Sequence, residues 1–332
     1  MKRKILALAV LTLVVGCHTE PDILINTPEI NFDIFWNDFD RNYSFFEQKG
    51  IDWEQYKQTY RPRIHANTSP KALLDILSEI ILSLKDAHAS LTANSNFISY
   101  DYTAGHPKNS PINLSNYVTL QSAGSVLKHG IIRGTVGFLM ISKFQGSDSD
   151  FTITESIFTD WQNKNLKGII IDIRGNGGGS DALASHIIEK LNDSPRIYSK
   201  VKYRNGPAHN DFTDWVDRYT PASSTTFFKG RPIVVLTNRY VVSAAESFVL
   251  AMRTIPGVKI VGDTTGGSSG NPLNRRLPNG WQYRVPRWIE VTPDYTVFEN
   301  KGLYPDVPVW LKQEDVTAGK DTIIEKALEL IN

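Results

Sequence analysis

The sequence predicts an α/β fold preceded by a helical unit, and three observations carry that reading. Beyond Val136, strand-length apolar runs alternate with helix-length amphipathic ones. Two of those runs, Ile169-Ile170-Ile171-Asp172-Ile173 and Ile233-Val234-Val235-Leu236-Thr237, are almost wholly apolar, as fully buried strands are. The first leads through Gly177-Gly178-Gly179 into a helical pattern, a strand–turn–helix unit of the kind that builds α/β cores.

The elements follow in order. From Asn31 to about Leu91 the signals are helical. Phe32, Phe35, Trp36, Phe39 and Tyr43 recur at helical spacing. Asp52 reads as the cap of a second helix, with Gln55 at its third position and Ile51 placed to staple Tyr56. Pro62 limits it. Ser69-Pro70 opens a third, burying Leu73, Leu77, Ile80, Ile81 and Leu84. The expected helical subdomain spans residues 29–92. Residues 93–132, with Gly105, Pro107 and Pro111, read as an irregular connector, and 133–332 as the core. Within the core, Val136–Ile141 is a strand and Phe151–Trp161 a helix. The strand Ile169–Ile173 precedes a helix over Asp181–Leu191. The strand Ile233–Thr237 precedes one over Ser243–Arg253. Lys259–Val261 is a short strand. The last helix runs from Asp321 to Leu330, with Thr322 and Glu325 in capping-box spacing.

Composition excludes several classes. The chain is 41% hydrophobic and 21% charged, ordinary globular usage that predicts a packed core and excludes global disorder, collagen and multi-span membrane architecture. Lys+Arg number 36 against 35 Asp+Glu, so no strong field points at nucleic acid. A single cysteine excludes an internal disulfide and a cysteine-based zinc site. At the N-terminus, Lys2, Arg3 and Lys4 precede an apolar run from Ile5 to Val15, far short of the ~20 residues that span a bilayer. The run ends in Val14-Val15-Gly16-Cys17. This resembles a bacterial lipoprotein signal over residues 1–16, which implies acylation of Cys17 and a tether over 17–28. Losing the three basic residues with the signal leaves a net charge of −2 on a domain lipid-anchored to a membrane of the cell envelope, outside the cytoplasm.

Two turns carry chemistry. In Asp172-Ile173-Arg174-Gly175-Asn176-Gly177-Gly178-Gly179, successive glycines let main-chain N–H groups approach a ligand, which can be a phosphate or an oxyanion. In Val241-Val242-Ser243-Ala244-Ala245-Glu246, a serine stands at a helix start among small residues. The helix end favours a developing alkoxide there, although a serine so placed is ordinarily only a cap. A serine nucleophile needs a base, and the base an orienting group. His88, where the apolar stripe of the third helix gives way to a loop, is one candidate base or a structural histidine. Glu299 is one candidate acid or a solvated loop residue.

These segments, together with Val261-Gly262-Asp263-Thr264-Thr265-Gly266-Gly267 and Gly302-x-x-Pro305-Asp306, occur in an order that resembles the tail-specific, or C-terminal processing, peptidase family. The similarity extends to Asp86-x-His88 and the aromatic helical N-terminus, from about Asn31 onward. It implies a crotonase-like β-spiral core, no cofactor or metal, and a peptide or protein substrate. One branch of the family activates its serine with a lysine; that position here holds Ser268. The chain is more similar to the tricorn-core branch, which implies Ser243 as nucleophile, His88 as general base and acid, and Glu299 as orienter. The backbone N–H groups of Gly178 and Ala244 then form the oxyanion hole. Tricorn carries a second serine just before its histidine; here that residue is Ala87, so a triad is expected and not a tetrad. Only 48 positions separate His88 from Val136, too few for the inserted PDZ domain of the processing peptidases.

Other readings fail or compete. Gly177-x-Gly179-x-x-Ala182 matches a dinucleotide fingerprint, but the strand-like Val201-Lys202-Tyr203 that follows ends in Arg204 and Asn205 in place of an acid. Gly266-x-Ser268-x-Gly270 matches a nucleophile elbow, but no histidine follows His209, as that fold's chain order requires. No metal-ligand spacing is present. The rival is a catalytically silent lipoprotein that binds a ligand or peptide on the same fold.

Overall fold

The computed structural model describes residues 25–332. The signal segment, Cys17 and most of the expected tether lie outside the described residues. Four helices come first: α1 (Pro28–Asn42), α2 (Phe46–Lys49), α3 (Trp53–Tyr60) and α4 (Pro70–Ser83). Thr27, Asp52 and Ser69 cap α1, α3 and α4, each accepting a first-turn N–H, and Pro28 and Pro70 occupy first helical positions where no hydrogen bond is lost. The strands β1 (Ser90–Ala93), β2 (Asn96–Ser99), β3 (Gln121–Ala123), β4 (Leu127–Ile132) and β5 (Val136–Ile141) follow. Next come α5 (Asp148–Thr152), α6 (Thr154–Asn163), β6 (Gly168–Asp172), α7 (Asp181–Leu191), β7 (Ile197–Tyr203), β8 (Val216–Tyr219), β9 (Ile233–Thr237) and α8 (Ala244–Arg253). The chain ends through β10 (Val258–Gly262), β11 (Leu273–Arg276), β12 (Gln282–Val285), β13 (Trp288–Val291), β14 (Val307–Pro308), α9 (Gln313–Thr317) and α10 (Thr322–Ile331).

A seven-stranded sheet of order β14-β10-β9-β6-β5-β4-β3 is the centre. From β5 to β14 it is parallel, and β3–β4–β5 is an antiparallel meander. The alternation along β6 explains its apolar run. Ile169 and Ile171 face a core shared with Phe158, Ile187 and Phe248, whereas Ile170 faces a second core with Ile323, Ala327 and Leu328 of α10. A third core joins the N-terminal helices to β1, β12 and β13: Phe32, Phe35, Phe39 and Trp53 pack with Leu91, Tyr283, Val285 and Ile289. The helical unit is therefore completed by strands from nearly two hundred residues downstream.

Three expectations are corrected. Residues 93–132 are not irregular throughout, because β3 and β4 extend the central sheet with Leu127 and Ile132 fully buried. The helix expected over Phe151–Trp161 is broken into α5 and α6. The last helix is capped by Asp321, which accepts from the N–H groups of Ile323 and Ile324, and not by a Thr322–Glu325 box. Asp321 also pairs with buried Arg174, itself paired to Asp172, so the Asp-x-Arg segment ties the end of β6 to the start of α10. Among the described residues no helix is long and apolar enough to cross a membrane.

Candidate active site

The turn between β9 and α8 puts Ser243 where the helix begins. Its backbone lies at φ 61, ψ −134, a conformation costly for a residue with a Cβ and one that clusters at functional sites. The Ser243 N–H donates to the Ser268 carbonyl at 2.8 Å, which helps fix the turn. The side chain does not cap α8, which removes the ordinary explanation for a serine in this place. Ser243 lines a cavity of about 300 Å³ with Gly179, Asp181, Ala244, Ser247, Ser269, Asn271, Arg284, Trp288 and Glu290. Ala244 shares this wall, and its N–H, at the positive end of α8, has no acceptor among the described residues.

The glycine turn packs against the serine. A Cβ on Gly178 would lie 2.7 Å from the Ser243 Cβ and 2.9 Å from the Ala244 nitrogen, so only glycine leaves this space open. The expectation for its amide needs correcting, however. The Gly178 N–H donates to Asn176 Oδ1 at 2.9 Å, an asparagine turn that spends the donor. The next amide, Gly179 N–H, lines the same cavity and has no acceptor among the described residues.

His88 comes from the opposite layer, just before β1. Nδ1 is 2.6 Å from Ser268 Oγ, and Nε2 has no partner among the described residues. Burial lowers the imidazole pKa to about 4, with Arg284 and Lys49 pushing the same way and Asp86 opposing, so the ring is neutral at pH 7. His88 and Ser243 thus converge on Ser268, one through its hydroxyl and the other through its carbonyl. The two side chains share no hydrogen bond.

Glu299 is buried in the same region but does not touch the imidazole. Its Oε2 accepts the Ser269 N–H at 2.9 Å and hydroxyl at 3.2 Å, and Oε1 lies 3.5 Å from Lys49 Nζ. Burial raises its pKa to about 7, helped by Asp86 and opposed by Lys49. The expected direct orienting contact is absent because Ser268, adjacent in the chain, occupies Nδ1.

Two buried acids complete the frame without a role in the sequence reading. Asp86 accepts the His88 N–H at 2.9 Å, the Ala89 N–H at 3.3 Å and the Tyr43 hydroxyl at 2.8 Å, and pairs with Lys49 at 3.3 Å. Burial alone would raise its pKa, but Lys49, His88 and Tyr43 outweigh that and lower it. Glu246 accepts the N–H groups of Gly267 and Ser268, both at 2.8 Å, and the Thr265 hydroxyl, and burial lifts its pKa to about 8. It holds the loop that presents Ser268. The available signal was a lone acid inside the otherwise buried α8. Among the described residues no cluster of histidine, cysteine and acids could hold a metal ion.

The family comparison fits this arrangement. The model of peptidase family S41 matches residues 135–309, more than half of the chain, and that of the tricorn protease C1 domain matches 26–81. The chain belongs to peptidase family S41. It is 25% identical over 182 residues to carboxy-terminal processing protease CtpB of Bacillus subtilis, covering 54% of this chain and 35% of that protein. It is 27% identical over 206 residues to the tricorn protease of Thermoplasma acidophilum, covering 61% of this chain and 17% of that one. The S41 chain thus spans about a third or less of these curated relatives. A crystal structure named as that of a "putative peptidase" from Parabacteroides merdae superposes with a TM-score of 0.82 at 31% identity, over 92% of this chain and 97% of that one.

Proposed function

We propose that the chain is a serine endopeptidase that cleaves exported peptides or proteins through an acyl-enzyme on Ser243. The observation that carries this reading is the Ser243 backbone. A serine held at positive φ, not capping its own helix and lining a cavity beside the free Ala244 amide, has no structural use that would offset the strain. In this mechanism Ser243 Oγ attacks the scissile carbonyl carbon and passes its proton to His88 Nε2. The carbonyl oxygen becomes an oxyanion facing Ala244 N–H and the 178–179 turn. Collapse expels the amine, protonated by His88, and water then releases the acyl group by the reverse roles. Ser268 holds Nδ1, which leaves Nε2 as the ring nitrogen available to take the serine proton. Glu299 acts one step away, by fixing Ser269. Gly178 keeps the oxyanion space open, and Gly179 supplies the second amide, because the Gly178 N–H is held by Asn176.

The test is an active-site-directed fluorophosphonate on the purified chain. Labelling at Ser243, lost in Ser243→Ala and reduced in His88→Ala, supports the reading. No labelling, with no turnover in an unbiased peptide library, sinks it in favour of a silent binder. We further propose that Cys17 is acylated and anchors the domain to a membrane of the cell envelope, on the extracytoplasmic side. The supporting feature is the basic, apolar, Gly16-Cys17 order of the N-terminus. Metabolic incorporation of an alkyne fatty acid, abolished by Cys17→Ala, is the expected result.

A further inference from the structure

The cavity beside Ser243 contains a cation that the protein does not neutralise. Arg284 lies on β12, paired across the sheet with Ser90 of β1 and so close to His88. Its guanidinium makes no hydrogen bond or ion pair with any described group, and its Nε is buried without an acceptor. Burial lowers its pKa, and no carboxylate offsets that. Arg174 and Arg218 are each paired doubly, Arg174 with Asp172 and Asp321, and Arg218 with Asp181 and Glu290. Arg204, Arg239, Arg253 and Arg287 also keep a buried Nε without an acceptor, but of these five Arg284 alone lines the cavity beside Ser243. The acids lining the cavity do not serve Arg284. Glu290 is filled by Ser199, Ser247 and Arg218; Asp181 gives Oδ2 to Arg218, and its Oδ1 is buried without a partner but forms no ion pair with Arg284. An uncompensated, half-buried cation is costly, and its planar fork matches a carboxylate or a phosphate held by two parallel bonds; of the two, a peptide substrate carries the carboxylate.

We propose that Arg284 is the anion subsite of the Ser243 cleft and selects substrates by a carboxylate. That carboxylate is either an acidic side chain near the scissile bond or the one that ends the peptide. A carboxylate docked there also offsets one of the two cations that depress the His88 pKa. The assignment rests on the peptidase reading and names the chemistry of its substrate.

The experiment measures kcat/KM on matched peptides with Glu or Gln at each position flanking the cleaved bond, each with a free or an amidated C-terminus. One acidic member is expected to exceed its neutral counterpart by about ten- to a hundredfold, the range of a charge-assisted hydrogen bond. A preference confined to the Glu/Gln pairs assigns the side chain; one confined to the acid/amide pairs assigns the chain end. Arg284→Gln is expected to bring that ratio to about 1, and Arg284→Glu to reverse it toward Lys at the same position, an inversion that loss of fold cannot mimic. Equal cleavage of acidic and neutral peptides by the wild-type chain, or an unchanged ratio in Arg284→Gln, overturns the assignment while leaving the peptidase reading intact. Absence of both cleavage and Ser243 labelling overturns the two together.

Discussion

The two halves of the site are held in place by different means. Ser243, Ala244 and the 176–179 turn are fixed by strand ends, a helix start, glycines packed against the serine and neutral amide side chains, Asn176 and Asn238, that bond the backbone of the turn. His88 is fixed by side chains: the Ser268 hydroxyl on its ring and Asp86 on its N–H, with Lys49 joining Asp86 to Glu299. The first half belongs to the core of the parallel sheet. The second draws on the N-terminal core and on loops that return from the far end of the chain. The proposed nucleophile is therefore set by neutral backbone and amide contacts of the core, whereas the proposed base depends on a buried charge network that single substitutions can dismantle.

The sharpest way to separate the halves is to remove chemistry from the rigid one without disturbing its backbone. Ser243→Ala is expected to lower kcat/KM by about 10⁴-fold or more, with little change in the unfolding midpoint, because the hydroxyl supports no described contact. A parallel loss of stability would show that the side chain has a structural duty after all. The half held by charges should respond the other way. Lys49→Met leaves Asp86 and Glu299 buried together without their shared cation, and removing one partner of a buried pair costs about 3–5 kcal/mol. Urea unfolding measures it. A change within about 0.5 kcal/mol would mean that the network is ornamental and the base is held by packing.

The contrast also predicts a pH signature of His88, opposite in sign to that of Glu246 and Glu299, whose raised pKa values cost stability as pH rises above about 4.5. The folded pKa of His88, about 4, lies below its ordinary 6.5. Between those values the unfolded chain takes up a proton that the folded chain refuses. The contribution is thus fully present above pH 6.5 and lost as pH falls through 4, at most about 3 kcal/mol for a shift of this size. His88→Gln, compared with wild type from pH 7 to pH 4, should show a shallower fall in stability. Identical slopes would place the acid sensitivity elsewhere.

Legibility in the sequence followed the same division. The parallel strands β5, β6, β9 and β10, the helices α7 and α8 and the helix caps at Asp52 and Ser69 could be read because local periodicity and capping residues determine them. The glycine turn and the place of Ser243 at a helix start were legible for that reason too, but local signals alone read that serine as a cap, which it is not, and its proposed role came from the resemblance. By contrast, β11 has the sequence Leu-Asn-Arg-Arg and is largely exposed, so no apolar pattern marks it. The link between His88 and Ser268 joins residues 180 positions apart, and spacing carries no signal at that range. Glu299 was picked out as the acid near the base, but only the folded loop shows that Ser269 and Lys49 receive it.

Ser268 gives the finest test, since the resemblance marks its position as the place of a missing lysine. In the fold its hydroxyl instead lies against His88 Nδ1. Its main chain serves separately: its N–H goes to Glu246 and its carbonyl accepts from Ser243, so Ser268→Ala removes the hydroxyl alone. The buried ring nitrogen then loses its partner, and the imidazole is free to turn. A kcat loss of about ten- to a hundredfold is expected, with a stability cost of about 1–3 kcal/mol. Ser268→Thr, which keeps the hydroxyl, should restore most of kcat. A threonine variant as slow as the alanine one would mean that Ser268 matters through packing, and the positioning of His88 would then rest on Asp86 alone.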